Sequence, residues 1–169
     1  MQTRLANQDD LPSLMMIVRR VVPLMHSQGN FQWDDDYPNE AVFLEDIERN
    51  RLWVAQIERT VAAVIALSND PEPDYIQADW DITQPALVVH RLAVDPVFRG
   101  AGLARTLLLK ADEVAIAQNL FIVRVDTNTE NQATQRLFPS LGYRFAGEIS
   151  LQSRPGRRFF CYEKQLTKP

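Results

Sequence analysis

Val88-Val89-His90-Arg91-Leu92-Ala93-Val94 leads through Asp95-Pro96 into Arg99-Gly100-Ala101-Gly102-Leu103-Ala104, and an apolar helical run continues to Leu109. The β-branched run reads as a strand, and the glycines after it let the backbone turn tightly and approach a ligand closely. A helix that starts there points the unpaired N–H groups of its first turn at whatever binds. A diphosphate suits such a turn, because each charge-assisted N–H contact contributes about 1.5–3 kcal/mol. A dinucleotide fold needs a third glycine where Arg105 stands, and a P-loop needs a Gly-Lys-Ser/Thr ending that the stretch lacks.

Upstream, Thr3 to Ala6 reads as a short strand, and Asn7 as the cap of a helix with Asp9 and Asp10 in its first turn. Leu11, Leu14, Val18, Val21 and Met25 recur at three-four spacing and predict one buried face, with Pro23 expected to kink or end the helix. An aromatic and acidic loop, Phe31 to Pro38, precedes a short helix from Glu40 to Arg49 with Phe43 and Ile47 inward. Leu52 to Ile57 and Val61 to Leu67 form a hairpin around Glu58-Arg59-Thr60, and the 17 residues from Asn69 to Pro85 read as a long loop. Downstream, the pattern predicts a helix over Gly102 to Gln118 with Leu103, Leu107, Ala111, Val114 and Ile116 available for burial. A strand over Leu120 to Val125, a helix over Glu130 to Leu141 stopped by Gly142, and a pair of strands, Tyr143 to Ile149 and Arg158 to Gln165, complete the order β-α-α-β-β-β-α-β-α-β-β.

The 169 residues fit one domain able to bury most of its unfolded surface. A single cysteine rules out an internal disulfide, and no basic-then-apolar leader or membrane-length apolar run is evident, so a soluble cytoplasmic protein is expected. Residues 1–98 carry 7 Lys/Arg against 16 Asp/Glu, and residues 99–169 carry 11 against 6. The basic half holds the glycine turn, which fits an anionic ligand there, and the acidic half favours a cationic group on the other side unless its carboxylates are simply solvated. Arg154, Arg157 and Arg158 in a turn of an acidic chain do not make a nucleic-acid site.

Asn131 stands six residues before Leu137-Phe138, and Leu141-Gly142-Tyr143 follows. Combined with Leu-Ala-Val-x-Pro and Arg-x-x-Gly-x-Ala upstream, the chain resembles the GNAT N-acetyltransferase superfamily over almost its whole length. The resemblance implies an α/β (α+β) fold over 1–169, with a mixed, mostly antiparallel sheet of about seven strands, a splay between strands 4 and 5, and four helices. It implies an acyl-CoA-binding core over about 86–143 and acceptor-side elements over about 7–50 and 69–85. Acetyl-CoA, or another short acyl-CoA, is then the cosubstrate, and an amine the acceptor, with no metal, nucleic acid or membrane involved and a monomer or homodimer expected. Leu92, Ala93 and Val94 would align the pantetheine arm, and Arg99, Gly100, Ala101, Gly102, Leu103 and Ala104 the diphosphate, with Asn131 and Phe138 completing the cosubstrate site. The backbone of Leu92 would polarise the thioester carbonyl.

Strand alternation puts His90 on the same face as Leu92, where the resemblance makes it a candidate base acting through water; the alternative is a histidine that only hydrogen-bonds within the sheet. Asp34, Asp35, Asp36, Asp79 and Asp81 are further candidates, although loop carboxylates usually form turns. Phe138 stands where many family members carry a tyrosine that protonates the leaving thiolate. That departure leaves two readings, an enzyme whose thiolate departs unaided or with help from water, Ser140 or Tyr143, and a non-catalytic acyl-CoA sensor. Thr134 replaces the usual small alanine, and Pro139 interrupts the same helix. Phe31, Trp33, Tyr37 and Trp80 are acceptor-site candidates, since aromatic faces beside carboxylates hold an ammonium, or else they cap the core.

Overall fold

A computed structural model describes residues 1–70 and 72–168. Seven strands form one sheet: β1 Gln2–Leu5, β2 Leu52–Ile57, β3 Thr60–Ser68, β4 Leu87–Val94, β5 Ile122–Asn128, β6 Arg144–Ser150 and β7 Arg158–Gln165. Their order is β1-β2-β3-β4-β5-β7-β6, and every neighbouring pair is antiparallel except β4 with β5. Among the described residues four α-helices cover it, α1 Leu11–Ser27, α2 Glu40–Glu48, α3 Leu103–Ala117 and α4 Gln132–Ser140. The sheet has the predicted strand count and mixed, mostly antiparallel character, and its parallel pair is formed by the two strands expected to splay.

Two apolar layers sandwich the sheet. On one side Leu103, Leu107, Leu108 and Ala111 of α3, with Phe138 of α4, pack on Leu87, Val89, Val123 and Val125. On the other side Leu14, Ile17, Val18 and Val21 of α1 and Phe43 of α2 pack on Val54, Val64, Ala66 and Ala93. A smaller cluster of Tyr75, Val88, Ile149, Phe159 and Cys161 continues this second face beneath the 69–85 loop. The alternation of β4 is thus divided between two cores, which is why its sequence reads as an unbroken apolar run.

Several boundaries differ from the sequence reading for local reasons. Asn7 caps a single 3₁₀ turn, Gln8–Asp10, in a reciprocal capping box with Asp10, and α1 begins only after it. Pro23 does not end α1, which runs on to Ser27; the ring lies on the exposed face, where the carbonyl that loses its partner meets water. Glu58 and Arg59 take φ of 48° and 69°, the two left-handed residues that a tight hairpin turn requires. Strand β5 starts at Ile122 and extends through Asp126, Thr127 and Asn128, because β7 pairs with it as far as Asn128↔Phe159. Ile116 is 39% exposed and faces solvent, with Ala115 taking the inward place. Among the described residues, no helix is long and apolar enough to cross a membrane.

Candidate active site

Strands β4 and β5 pair only at Leu87↔Val123, Val88↔Arg124 and Val89↔Val125. Beyond Val89 they separate. A bulge lies at the same place on the other edge of β4, where Ala66 opposes His90 but Val64 opposes Ala93, so Arg91 and Leu92 together face Ile65. Arg91 has φ of 50°, the left-handed residue of a two-against-one bulge. No glycine marks it. The conformation is instead tied down by the side chain: the Arg91 guanidinium donates to both Asp46 carboxylate oxygens at 2.7 and 2.8 Å and to the Tyr37 hydroxyl at 3.0 Å. Asp46, on α2, is 5% exposed.

The bulge overturns one expectation. Each residue added to a strand flips the residues after it to the opposite face, so His90 and Leu92 do not share one. His90 stands opposite Ala66 and with Ala93 on the α1/α2 face, whereas Leu92 and Val94 pack against the α3 core. Burial, reinforced by the Arg91 and Arg51 guanidinium groups and only partly opposed by Asp70, lowers the His90 pKa to about 4. The ring is neutral at pH 7 and a weak proton acceptor.

The gap between β4 and β5 opens into a cavity of about 680 Å³. Leu92, Val94, Arg99, Ala104, Asn131 and Phe138 line it toward α3 and α4. Gly100 and Gly102 have φ of 83° and 75°, and a side chain built on either would meet open space, so a ligand has room against this backbone. Gly102 gives α3 no side-chain cap, the first capping bond is Thr106 N–H to Gly102 O at 3.0 Å, and the Leu103, Ala104 and Arg105 amides have no backbone acceptor among the described residues. These orphan donors at the positive end of a helix fit a diphosphate. Leu103 itself is 1% exposed, its side chain in the core, so only its amide is on offer. Asp95 sets the entry to the turn, accepting from Arg20 of α1 at 2.6 Å and from its own Val97 N–H at 3.0 Å.

Asn131 caps α4 through Thr134 N–H at 3.4 Å, and the Thr134 hydroxyl donates to Asn131 O at 3.0 Å while meeting Thr127 Oγ1 at 2.8 Å. Phe138 is 1% exposed and packs its ring against Tyr143 and Tyr162. Neither substitute acid reaches the cavity. Ser140 Oγ donates to Leu137 O at 2.6 Å, and the Tyr143 hydroxyl is buried without a partner among the described residues, its pKa driven far up by desolvation and then by Asp112.

The other side of the cavity is lined by Trp33, Tyr37, Asp46, Glu72, His90 and Asp126, among others. Trp33 and Tyr37 are therefore together at the site. Phe31 is not among its lining; it stacks on His26 and lies under Arg157. Trp80 lines a separate cavity of about 210 Å³, packed on Tyr75 and under Arg124. Tyr37 already carries the Arg154 guanidinium over its ring at 4.4 Å. Asp34 forms the turn at Asp36 and Tyr37, and Asp81 the turn at Thr83, as loop carboxylates commonly do. Cys161 is buried, and desolvation followed by Asp126 raises its thiol pKa, so it offers no nucleophile.

Asp126 was not singled out by its sequence. Its Oδ2 accepts from the Tyr75 hydroxyl at 2.7 Å. Desolvation raises its pKa to about 6, with Glu72 adding to the shift and the Tyr75 bond opposing it. Glu72 is also raised, chiefly by burial. Asp46 and Asp70, by contrast, pair with Arg91 and Arg51 at 2.7 and 2.8 Å. Two carboxylates thus face the cavity without a cation partner among the described residues, and no group of three or more His, Cys, Asp or Glu side chains there is placed to hold a metal.

The sequence model of the acetyltransferase (GNAT) family matches residues 18–143. The N-acetylaspartate synthetase of Danio rerio is 28% identical over 104 residues, 62% of this chain, which spans about a third (33%) of that protein's length. A GNAT-family acetyltransferase of Streptococcus agalactiae matches 99% of this chain with 96% of its own at a TM-score of 0.87 and 27% identity. An acetyltransferase of Salmonella typhimurium, solved with its cofactor acetyl-CoA, matches 100% of this chain with 95% of its own at a TM-score of 0.73; at 18% identity that likeness is one of fold.

Proposed function

Since this chain belongs to the GNAT acetyltransferase family, we propose that it transfers acetyl from acetyl-CoA directly to a primary amine of a small molecule or peptide. The observation that carries the reading is the splay: one cavity reaches from a face of free backbone donors to a face of charged side chains. The thioester of acetyl-CoA supplies the activated acyl group. Leu92, Ala93 and Val94, on an edge that β5 has left, offer backbone groups to the pantetheine arm. The amides from Gly102 to Arg105 and the Arg99 side chain hold the diphosphate, with Asn131 and Phe138 bounding the arm. The Leu92 N–H, second in the bulge, is assigned to the carbonyl oxygen as negative charge develops there.

Phe138 offers no proton to the departing sulfur. A thiol of reference pKa about 8.5 leaves tolerably as the thiolate and takes its proton from water. The acceptor amine enters from the α1/α2 face, where Glu72 and Asp126 provide negative charge for an ammonium and Trp33 and Tyr37 bound the site. His90, neutral and on this face, lines the acceptor side. The relative named for N-acetylaspartate and the arginines at the site, Arg51, Arg91 and Arg154, put amino acids beside polyamines among the acceptors to test.

The test is CoA release from acetyl-CoA with spermidine, tryptamine, kanamycin, L-aspartate and an alanine-terminated peptide, each product identified by mass. Turnover yielding the N-acetylated amine is expected for one class. Acetyl-CoA binding without turnover on any of them contradicts the reading and leaves an acyl-CoA sensor.

A further inference from the structure

We propose that Asp126 is the residue that accepts the proton of the incoming amine, a reading that rests on acetyl transfer at the splay. The register of β4 and β5 ends at Val89↔Val125, so His90 and Asp126 are the first residues past the end of pairing, one on each arm of the opening. Both belong to the acceptor face: His90 opposes Ala66 of the α1/α2 core, and Asp126 opposes Cys161 of the cluster beneath the 69–85 loop. Asp126 is therefore held on a strand at the narrow end of the gap, across the sheet from the face to which Leu92 belongs. A base in that position lies on the side from which the amine arrives.

Its surroundings suit the task. Tyr75 donates to Oδ2 and fixes the carboxylate rotamer, while no Lys, Arg or His side chain pairs with it among the described residues. A carboxylate locked in an ion pair, as Asp46 is with Arg91, cannot accept a proton without breaking the pair. The titratable groups that act on Asp126 are Tyr75 of the 73–77 turn, Glu72 before it and Cys161 of β7, and none of them is a cation. Burial and Glu72 bring its pKa to about 6, nearer to a working pH than an ordinary aspartate and nearer than His90 at about 4. The two titratable groups flanking the splay are pushed in opposite directions, and the one that gains basicity is the carboxylate.

The step balances. The ammonium gives one proton to the Asp126 carboxylate; the freed lone pair forms the N–C bond as the C–S bond breaks. The second amine proton leaves as the amide forms, the thiolate takes one proton from water, and Asp126 returns its proton to solvent, for one net proton released.

The experiment uses the full chain, acetyl-CoA and the five-amine set, with kcat, kcat/KM against pH and calorimetric CoA affinity as readouts. Asp126→Asn is expected to lower kcat by about 10²–10⁴-fold, with CoA affinity within twofold of wild type. Tyr75→Phe removes a bond that favours the ionised carboxylate, so the acid limb of kcat/KM, near pH 6 in the wild type, is expected to move upward. His90→Gln is expected to leave that limb in place. Wild-type turnover that survives undiminished in Asp126→Asn, or an acid limb that disappears in His90→Gln and stays fixed in Tyr75→Phe, overturns the assignment while leaving acetyl transfer intact. Failure of the wild-type chain on all five amines overturns both readings at once.

Discussion

On the side of the cavity toward α3 the groups we assign to a ligand are backbone amides, at Leu92 to Val94 and in the first turn of α3. On the opposite face they are side chains drawn from α2, the 69–85 loop, β5 and the Phe31–Pro38 loop. The first face is assembled by chain segments adjacent in sequence, and its conformation is enforced by two glycines at positive φ. The second depends on contacts over long separations, such as Arg91 with Asp46 at 45 residues and Tyr75 with Asp126 at 51. Backbone sites built locally tolerate variation in side chains; side-chain sites built from remote segments are where relatives sharing a fold diverge in acceptor.

Four substitutions break or sharpen this contrast. Asp46→Ala strikes the point where the faces meet, leaving the buried Arg91 guanidinium without its carboxylate, and is expected to cost about 3–5 kcal/mol in urea unfolding. A loss below about 1 kcal/mol would show that the bulge holds itself. Asp126→Asn should separate activity from stability. Because folding raises the Asp126 pKa from 3.8 to about 6, the folded chain prefers the protonated acid, and the stability present below pH 4 is lost as pH rises through 6. The neutral amide is thus expected to raise Tm at pH 7, by roughly 6–12 °C if it recovers the whole penalty, and to leave it nearly unchanged at pH 4. Gly102→Ala puts a β-carbon into the open space of the turn at φ of 75°, with about 1–2 kcal/mol of backbone strain and a weaker acetyl-CoA affinity, while amine KM stays as it was. Phe138→Tyr is expected to change kcat by less than about tenfold, since a thiolate leaves without an acid; a gain of a hundredfold would show that a donor had been missing.

The order of elements along the chain and the glycine turn were legible because local signals specify them: apolar runs of strand length, and glycine where φ must be positive. The bulge was not legible, because Arg91 adopts φ of 50° through a tertiary ion pair and not through its own conformational preference. With the bulge unseen, alternation placed His90 beside Leu92, where the family resemblance made it a candidate base. Asp126 was hidden for a related reason. It lies in a polar extension of β5 that only pairing with β7 makes a strand, and the tyrosine that holds it comes from a loop with no periodic pattern. Of the four aromatic candidates, Trp33 and Tyr37 line the cavity and Phe31 and Trp80 do not, a distinction that depends on which way the Phe31–Pro38 and 69–85 loops turn and that residue type does not carry.

The division of labour across β4 is tested most directly by backbone amide chemical shifts of the ¹⁵N-labelled chain during titration with acetyl-CoA. The expected result is that the largest changes fall at Leu92 to Val94 and from Arg99 to Arg105, with Asp46, Glu72 and Asp126 little moved until an amine is added. Large changes on the α1/α2 face with the glycine turn silent would contradict the account.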